Sequence, residues 1–236
     1  MKLSDPASSA VCPEFLVYTA RLPLEDADII ELGCGRAEHA RAIAGTYPGA
    51  RMTAFDVDPV QYESNRSAAG PRNLRFALGG AEAIPAGDGS ADIVMMLKSL
   101  HHVSSGLLDR ALREIRRVLR PGGLAYVSEP VFAGELNEII RIFHDERQAR
   151  IDAFEALRRA VAEGDFDLVE ERFFLAPVVY RDFAEFERDV IQATHSNHRL
   201  SADQLESVRA RFLSHAGPDA AVFNMPMRLD LLRKPR

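Results

Sequence analysis

Ile29-Ile30-Glu31-Leu32-Gly33-Cys34-Gly35-Arg36-Ala37 is the stretch that decides the fold. A mostly apolar run from Ala27 ends in an acid, passes through a tight Gly-x-Gly turn and enters a helix-forming segment at 37–44. A strand that turns sharply into a helix brings backbone N–H groups and the positive helix end up to a ligand. Gly33 and Gly35 lack a Cβ, so the backbone can turn and approach that ligand closely. An ordinary strand-to-helix connection has the same local form, so this segment alone indicates a nucleoside site without naming the nucleoside.

Working outward, short apolar runs at 27–31, 51–56, 74–77, 91–96 and 124–129 read as strands. Helical stretches fall between them at about 38–47, 59–69 and 107–119. This alternation predicts a doubly wound, mostly parallel sheet, with ligands beyond the carboxyl ends of its strands. After Glu129 the rhythm changes. A long helical stretch is expected over 134–164, with Leu136, Ile139, Ile140 and Phe143 at helical spacing. A strand at 166–174, a polar helical region at 182–215 broken near Ser196-Asn197, and a last strand at 221–233 complete the chain. Ser201 with Gln204 reads as a capping box. The two late strands predict an antiparallel terminal hairpin, giving a seven-stranded sheet with helical insertions over the ligand face. We expect a single domain over 1–236, its core at about 25–130 plus 166–174 and 221–233, with cap segments at 134–164 and 182–215.

Composition bounds the function. The 236 residues are 47% hydrophobic and carry a formal net charge of -6, which suits a globular domain and not a general nucleic-acid binder. Arg116-Arg117 and the tail Arg233-Lys234-Pro235-Arg236 are short basic clusters that read as solvated surface. No window has the length of a membrane span, and the opening residues lack the apolar core of a signal peptide. With only Cys12 and Cys34 there is no disulfide framework, so a cytoplasmic protein is the expectation.

Asp56 ends the second strand, where a carboxylate can accept two hydrogen bonds from a ribose diol. That geometry serves NAD and S-adenosylmethionine (SAM) equally; the alternative is a helix-capping Asp58 with Asp56 as its neighbour. The turn discriminates between the cofactors. A dinucleotide fingerprint needs a third glycine where this chain has Glu38, whose carboxylate would repel a pyrophosphate. SAM has no phosphate and carries an ammonium and a sulfonium, which tolerate Glu31 and Glu38. A Walker loop is also absent.

With these residues in view, the chain resembles the class I SAM-dependent methyltransferases, small-molecule type, which share a Rossmann-like fold. The resemblance rests on Glu31-Leu32-Gly33-Cys34-Gly35, Asp56, Gly80-Ala81-Glu82-Ala83-Ile84-Pro85 and Ala91-Asp92-Ile93-Val94. The helix Leu112–Arg117 leading into Val118-Leu119-Arg120-Pro121-Gly122-Gly123 extends it, so that about 25–130 is covered well. It implies that Glu31, Gly33, Cys34 and Gly35 line the methionine end of SAM, that Asp56 holds the ribose and Val57 the adenine, and that Ala81 and Glu82 flank the adenine, with Leu97 also at the cofactor. The chain departs from the family at Ala37, where a third glycine is common, at Gly80, where an acid is common, and at Arg36, where a small hydroxyl residue is common.

Methyl transfer is an in-line displacement that needs alignment and exclusion of water, and a base only when the nucleophile must lose a proton. Leu97-Lys98-Ser99-Leu100-His101-His102-Val103 follows the fourth strand. His101 and His102 are therefore the expected base or substrate-orienting groups, and Glu129 the carboxylate that orients an amine or hydroxyl. The alternative is that one histidine packs on the sheet and the other caps a helix. The loop lacks the Asn/Asp-Pro-Pro-Tyr of DNA amino-methyltransferases. Five of the seven histidines, namely His101, His102, His144, His195 and His198, fall where the fold places the substrate side. His195 and His198 have metal-ligand spacing but no evident third ligand, so no metal is expected. The reading is a methyltransferase acting on an O, N or C atom of a small molecule. An RNA or protein methyltransferase and a non-catalytic SAM-binding subunit are the alternatives.

Overall fold

The computed structural model describes residues 1–193 and 198–236. After a short helix α1 (Glu14–Thr19), strands and helices alternate: β1 (Asp28–Leu32), α2 (Glu38–Thr46), β2 (Arg51–Asp56), α3 (Pro59–Ser67), β3 (Leu74–Leu78), β4 (Ala91–Leu97), α4 (Leu108–Val118) and β5 (Leu119–Pro130). Helices α5 (Glu135–Ile140) and α6 (Arg147–Ala162) then precede β6 (Asp167–Tyr180). Helices α7 (Phe183–Phe186) and α8 (Ala202–Leu213) precede β7 (Ala221–Arg233). The seven strands form one sheet in the order β3-β2-β1-β4-β5-β7-β6. Strands β1 to β5 are parallel, and β7 runs antiparallel to β5 and β6. The expected doubly wound sheet with an antiparallel terminal hairpin is therefore present. Its strand order reverses between β1 and β4, and that switch point is where such sheets open a crevice.

The sheet is covered on both faces. Ile93, Val94, Met95 and Met96 of β4 are all fully buried, as an apolar run in a central parallel strand must be. Val17, Tyr18, Ala40, Ile43 and Ala44 from α1 and α2 pack on one face. Leu108, Ala111 and Leu112 of α4 and Ala153, Ala156 and Leu157 of α6 cover the other. A third cluster lies outside these two: Leu136 and Ile139 of α5, Phe183 and Phe186 of α7, and Val208 and Phe212 of α8, against Phe223 of β7.

Three expectations change. The helix expected over 134–164 is two helices, interrupted between α5 and α6. The Asp145 carboxylate accepts the Arg147 N–H at 2.9 Å and starts α6 afresh, which turns His144-Asp145-Glu146 toward the sheet rim. Strand β6 runs on to Tyr180 because its pairing with β7 continues without interruption to Tyr180–Ala221. Strand β5 begins at Leu119 and takes in the Pro-Gly turn. Ser201 and Gln204 do form a capping box at α8. His195 and the break near Ser196-Asn197 lie outside the described residues.

Candidate functional site

The candidate site is built from the β1 turn outward. Gly33 and Gly35 adopt φ of 68° and 51°. The N–H groups of Gly33 and Cys34 both donate to the Phe55 carbonyl, at 2.9 and 3.0 Å, which fixes the turn to β2. A Cβ on Gly33 would stand 2.7 Å from the Ser99 Cβ, while the Ser99 hydroxyl donates to the Leu32 carbonyl at 2.8 Å. The β1 turn and the loop after β4 thus lock together with no room for a side chain. Gly33→Ala combines left-handed strain of about 1–2 kcal/mol with overpacking of about 1–3 kcal/mol. We expect a loss of about 3 kcal/mol, read as a drop of several degrees in the thermal midpoint. Ala37, the third turn position, also has a positive φ of 57°, so this departure from the family pattern keeps the backbone conformation a glycine would adopt.

Asp56 stands at the end of β2 as expected. Its two oxygens accept the N–H groups of Gly35 at 2.7 Å and Asp58 at 2.9 Å, and each retains lone-pair capacity. Asp58 caps α3 through the Val60 N–H at 2.9 Å, so capping and cradle coexist. Buried Asn65 donates to the Gly35 carbonyl at 2.6 Å and supports the turn from below; the sequence reading missed it. Val57 is 66% exposed beside Asp56, an apolar side chain facing solvent at the rim. Ala81 is buried. The Glu82 carboxylate folds back to 2.5 Å from where a Cβ on Gly80 would stand, so it fills the place of the acid this chain lacks at Gly80. Leu97 and Cys34 are buried in the core, and burial pushes the Cys34 thiol up, away from reactivity. Arg36 points neither to solvent alone nor into the crevice: it pairs with Asp189 at 2.6 Å and ties the turn to the segment after α7.

Glu31, near the end of β1, is a buried acid before the glycine turn. It is 3% exposed, and its Oε2 has no hydrogen-bond partner. Burial pushes its carboxyl up to about 8, opposed by the Ala40 N–H and by Lys98 and reinforced by Asp56 and Glu14. Glu14 of α1 is a second buried carboxyl, also raised by burial, and accepts the Tyr126 hydroxyl at 3.3 Å. Tyr18 lies edge-on to Tyr126 and to His39, with ring centroids 6.1 and 5.6 Å apart. Burial, then the Lys98 charge, lowers His39 to about 4, so it is neutral. Glu14, His39 and Tyr126 were not read from the sequence. The available signal was an acid opening the apolar turn Glu14-Phe15-Leu16-Val17-Tyr18.

His101 and His102 form a short 3₁₀ turn after β4. Glu129, at the end of β5, accepts the Leu100 N–H at 2.8 Å on Oε1 and engages His101 Nδ1 with Oε2. On its other side, His101 Nε2 lies 3.5 Å from Glu146 Oε1, and Arg150 holds Glu146 Oε2 at 2.5 Å. Burial acts to lower His101, but the two carboxylates outweigh it and raise it to about 9. Two corrections follow. His101, enclosed by two acids, keeps its protons near neutral pH and is not a ready base. Glu129 is 3% exposed with both oxygens engaged, so it positions His101 and does not reach out to orient an amine or hydroxyl. His102 stays exposed, its ring 4.1 Å from that of His101. His198 lies against His144 and Phe143, with ring centroids 4.5 and 5.2 Å away.

Residues 29–123 match a protein-family model described as a methyltransferase domain. Over 202 residues the chain is 29% identical to the malonyl–acyl-carrier-protein O-methyltransferase of Geobacter sulfurreducens, covering 81% of this chain and 72% of that protein. Among solved structures, YcgJ of Bacillus subtilis has a TM-score of 0.64 at 19% identity, covering 94% of this chain and 97% of that one. SpnF, a cyclase, has a TM-score of 0.62 at 21% identity, covering 94% and 80%. These two likenesses show the fold alone, and the second shows that the fold also houses a cyclase. The chain spans 35% and 40% of the length of two other curated relatives it matches.

Proposed function

We propose that this chain, whose residues 29–123 match a methyltransferase-domain model, is a class I SAM-dependent methyltransferase that transfers the methyl group of SAM to an O, N or C atom of a small molecule. The observation that carries the reading is the unpartnered Oε2 of buried Glu31 beside the glycine turn. An unpaired acid in such a place is costly unless a cation completes it, and SAM brings an ammonium at its methionine end. Further features fit. Asp56 keeps lone pairs at the end of β2 for a ribose diol. Val57 offers an exposed apolar face for adenine, and Glu82 occupies the position of the missing acid. When bound, SAM supplies an activated methyl group on a neutral leaving group.

The remaining work falls to the chain. Residues of the β1 turn fix one end of the crevice, and the loop after β4 faces it from the other strand. Helices α5, α7 and α8 share an apolar cluster with β7, which supports a water-excluding cover on the acceptor side. The acidic balance of the chain and the absence of a basic stripe favour a small acceptor over RNA. The relative from Geobacter, a malonyl–acyl-carrier-protein O-methyltransferase, supports an oxygen acceptor as one member of that class.

Isothermal titration with SAM and with its demethylated product tests the cofactor. Absence of binding by either ends the proposal. Asp56→Asn keeps the shape of the side chain but removes its charge. Charged hydrogen bonds contribute about 1.5–3 kcal/mol each, so affinity should fall at least tenfold; an unchanged value removes the ribose assignment.

A further inference from the structure

We propose that His101, His102 and Glu146 form a binding site for one zinc-class divalent ion, which joins the α5–α6 connection to the carboxyl rim of the sheet. One ligand atom from each of the three lies within 4.8 Å of the other two. The separation of His101 Nε2 from Glu146 Oε1 is 3.5 Å. Metal–ligand bonds of about 2.0–2.1 Å set a tetrahedral edge of about 3.3–3.5 Å, so this pair already has the spacing of two ligands on one ion. His144 Nε2 is 3.1 Å from the same Glu146 oxygen but stands outside the group of three, so a solvent molecule would supply the fourth ligand.

The surroundings are those of ligands held in place. His101 engages Glu129 through Nδ1, which leaves Nε2 to face the cluster; a carboxylate behind a ligating imidazole fixes its tautomer and orientation. Glu146 is held on its other oxygen by Arg150 at 2.5 Å, which orients Oε1 toward the histidines. The three residues come from two rigid anchors: the turn leaving β4, and the break between α5 and α6 that Asp145 enforces. Two imidazoles and one carboxylate suit zinc and its neighbours over magnesium or calcium, which prefer all-oxygen sites. His101 is buried and His102 exposed, so the site is firmly seated yet open to an entering ion. The competing arrangement is the same cluster closed by a proton on His101 Nε2. The proposal does not depend on the methyl-transfer reading.

The full chain, stripped with a chelator and dialysed, would be titrated with Zn²⁺ by calorimetry and with Co²⁺ by visible absorption. We expect one ion per chain and the intense visible bands of four-coordinate Co²⁺ with nitrogen and oxygen donors. His102→Ala, on an exposed side chain, should weaken uptake at least tenfold, and Glu129→Gln should weaken it about 10–100-fold by releasing His101. His215→Ala, which removes an imidazole paired with Glu135 at 3.3 Å elsewhere, should leave uptake unchanged. Failure to take up one equivalent, a weak octahedral Co²⁺ spectrum, or equal uptake by wild type and His102→Ala would each overturn the site. None of these readouts involves SAM, so a lost methyl-transfer reading and a lost metal site are told apart.

Discussion

Glu31→Gln is expected to weaken SAM binding about thirtyfold or more at pH 8 while leaving the free protein at least as stable as wild type. Removing one partner of a buried charge pair costs about 2–5 kcal/mol in affinity, and each 1.4 kcal/mol is tenfold. Stability moves the other way because burial already opposes the charge on Glu31. Its carboxyl stands at about 8 in the folded chain, against an ordinary value of 4.5. Between those two values the folded state holds a proton that the unfolded state has released. The stabilisation from this group is therefore complete below the ordinary value and lost as pH rises toward 8, at up to about 1.4 kcal/mol per pH unit. Glutamine carries no charge to suppress, so the variant should lack this slope and be the more stable protein above pH 8. For the same reason wild-type affinity for SAM should rise between pH 6 and pH 8, as the ammonium draws Glu31 into its ionised form with release of a proton. Titrations in two buffers of different ionisation enthalpy read that proton directly. Equal affinity of the variant and wild type, or a pH-independent wild-type affinity, would show that Glu31 does not meet the cation.

The same group shows how far the sequence carries the argument. Glu31 and Asp56 were legible because their chemistry is local: an acid on a strand before a glycine turn, and an acid at the end of the next strand. The alternation of short apolar runs with helical stretches likewise pointed to the sheet, and Ser201 with Gln204 to the start of α8. The partners that define the crevice are not local. Glu14 of α1 meets Tyr126 of β5, and His39 meets Tyr18 from another helix. His101 was read as a base because the Leu-His-His turn was visible and its enclosing acids were not. Glu129 lies one strand away, and Glu146 reaches it only because the expected long helix breaks at Asp145. Apolar spacing at Leu136, Ile139 and Ile140 continues in register to Phe143, so periodicity gave no sign of the break.

Phe212→Ala should uncouple the cap from the core. Phe212 is fully buried in α8, with ring centroids 5.1 Å from Phe186, 5.5 Å from Phe183, 5.7 Å from Phe223 and 6.1 Å from Tyr180. Truncating a buried phenylalanine to alanine costs about 3–5 kcal/mol, part of it the cavity left behind. The cluster it centres shares none of its fully buried side chains with the two that cover the sheet faces, so the loss should fall on α5, α7 and α8 first. Links to the rest of the chain that would remain include Arg36 paired with Asp189 at 2.6 Å, Arg150 donating to the Asn137 side chain at 3.1 Å, and Met225, which packs against two of the clusters. Native-state hydrogen exchange should show protection within Ala202–Leu213 falling by a hundredfold or more, the equivalent of about 3 kcal/mol, with β1 and β4 changing by less than tenfold. SAM affinity should survive, because Glu31, Asp56 and the β1 turn are seated in the core. On the proposed reading that α5, α7 and α8 cover the acceptor, its turnover should fall. An equal loss of protection in β4 and α8 would mean that cap and core unfold as one unit, and the division of labour between cofactor-holding core and acceptor-covering cap would then have to be given up.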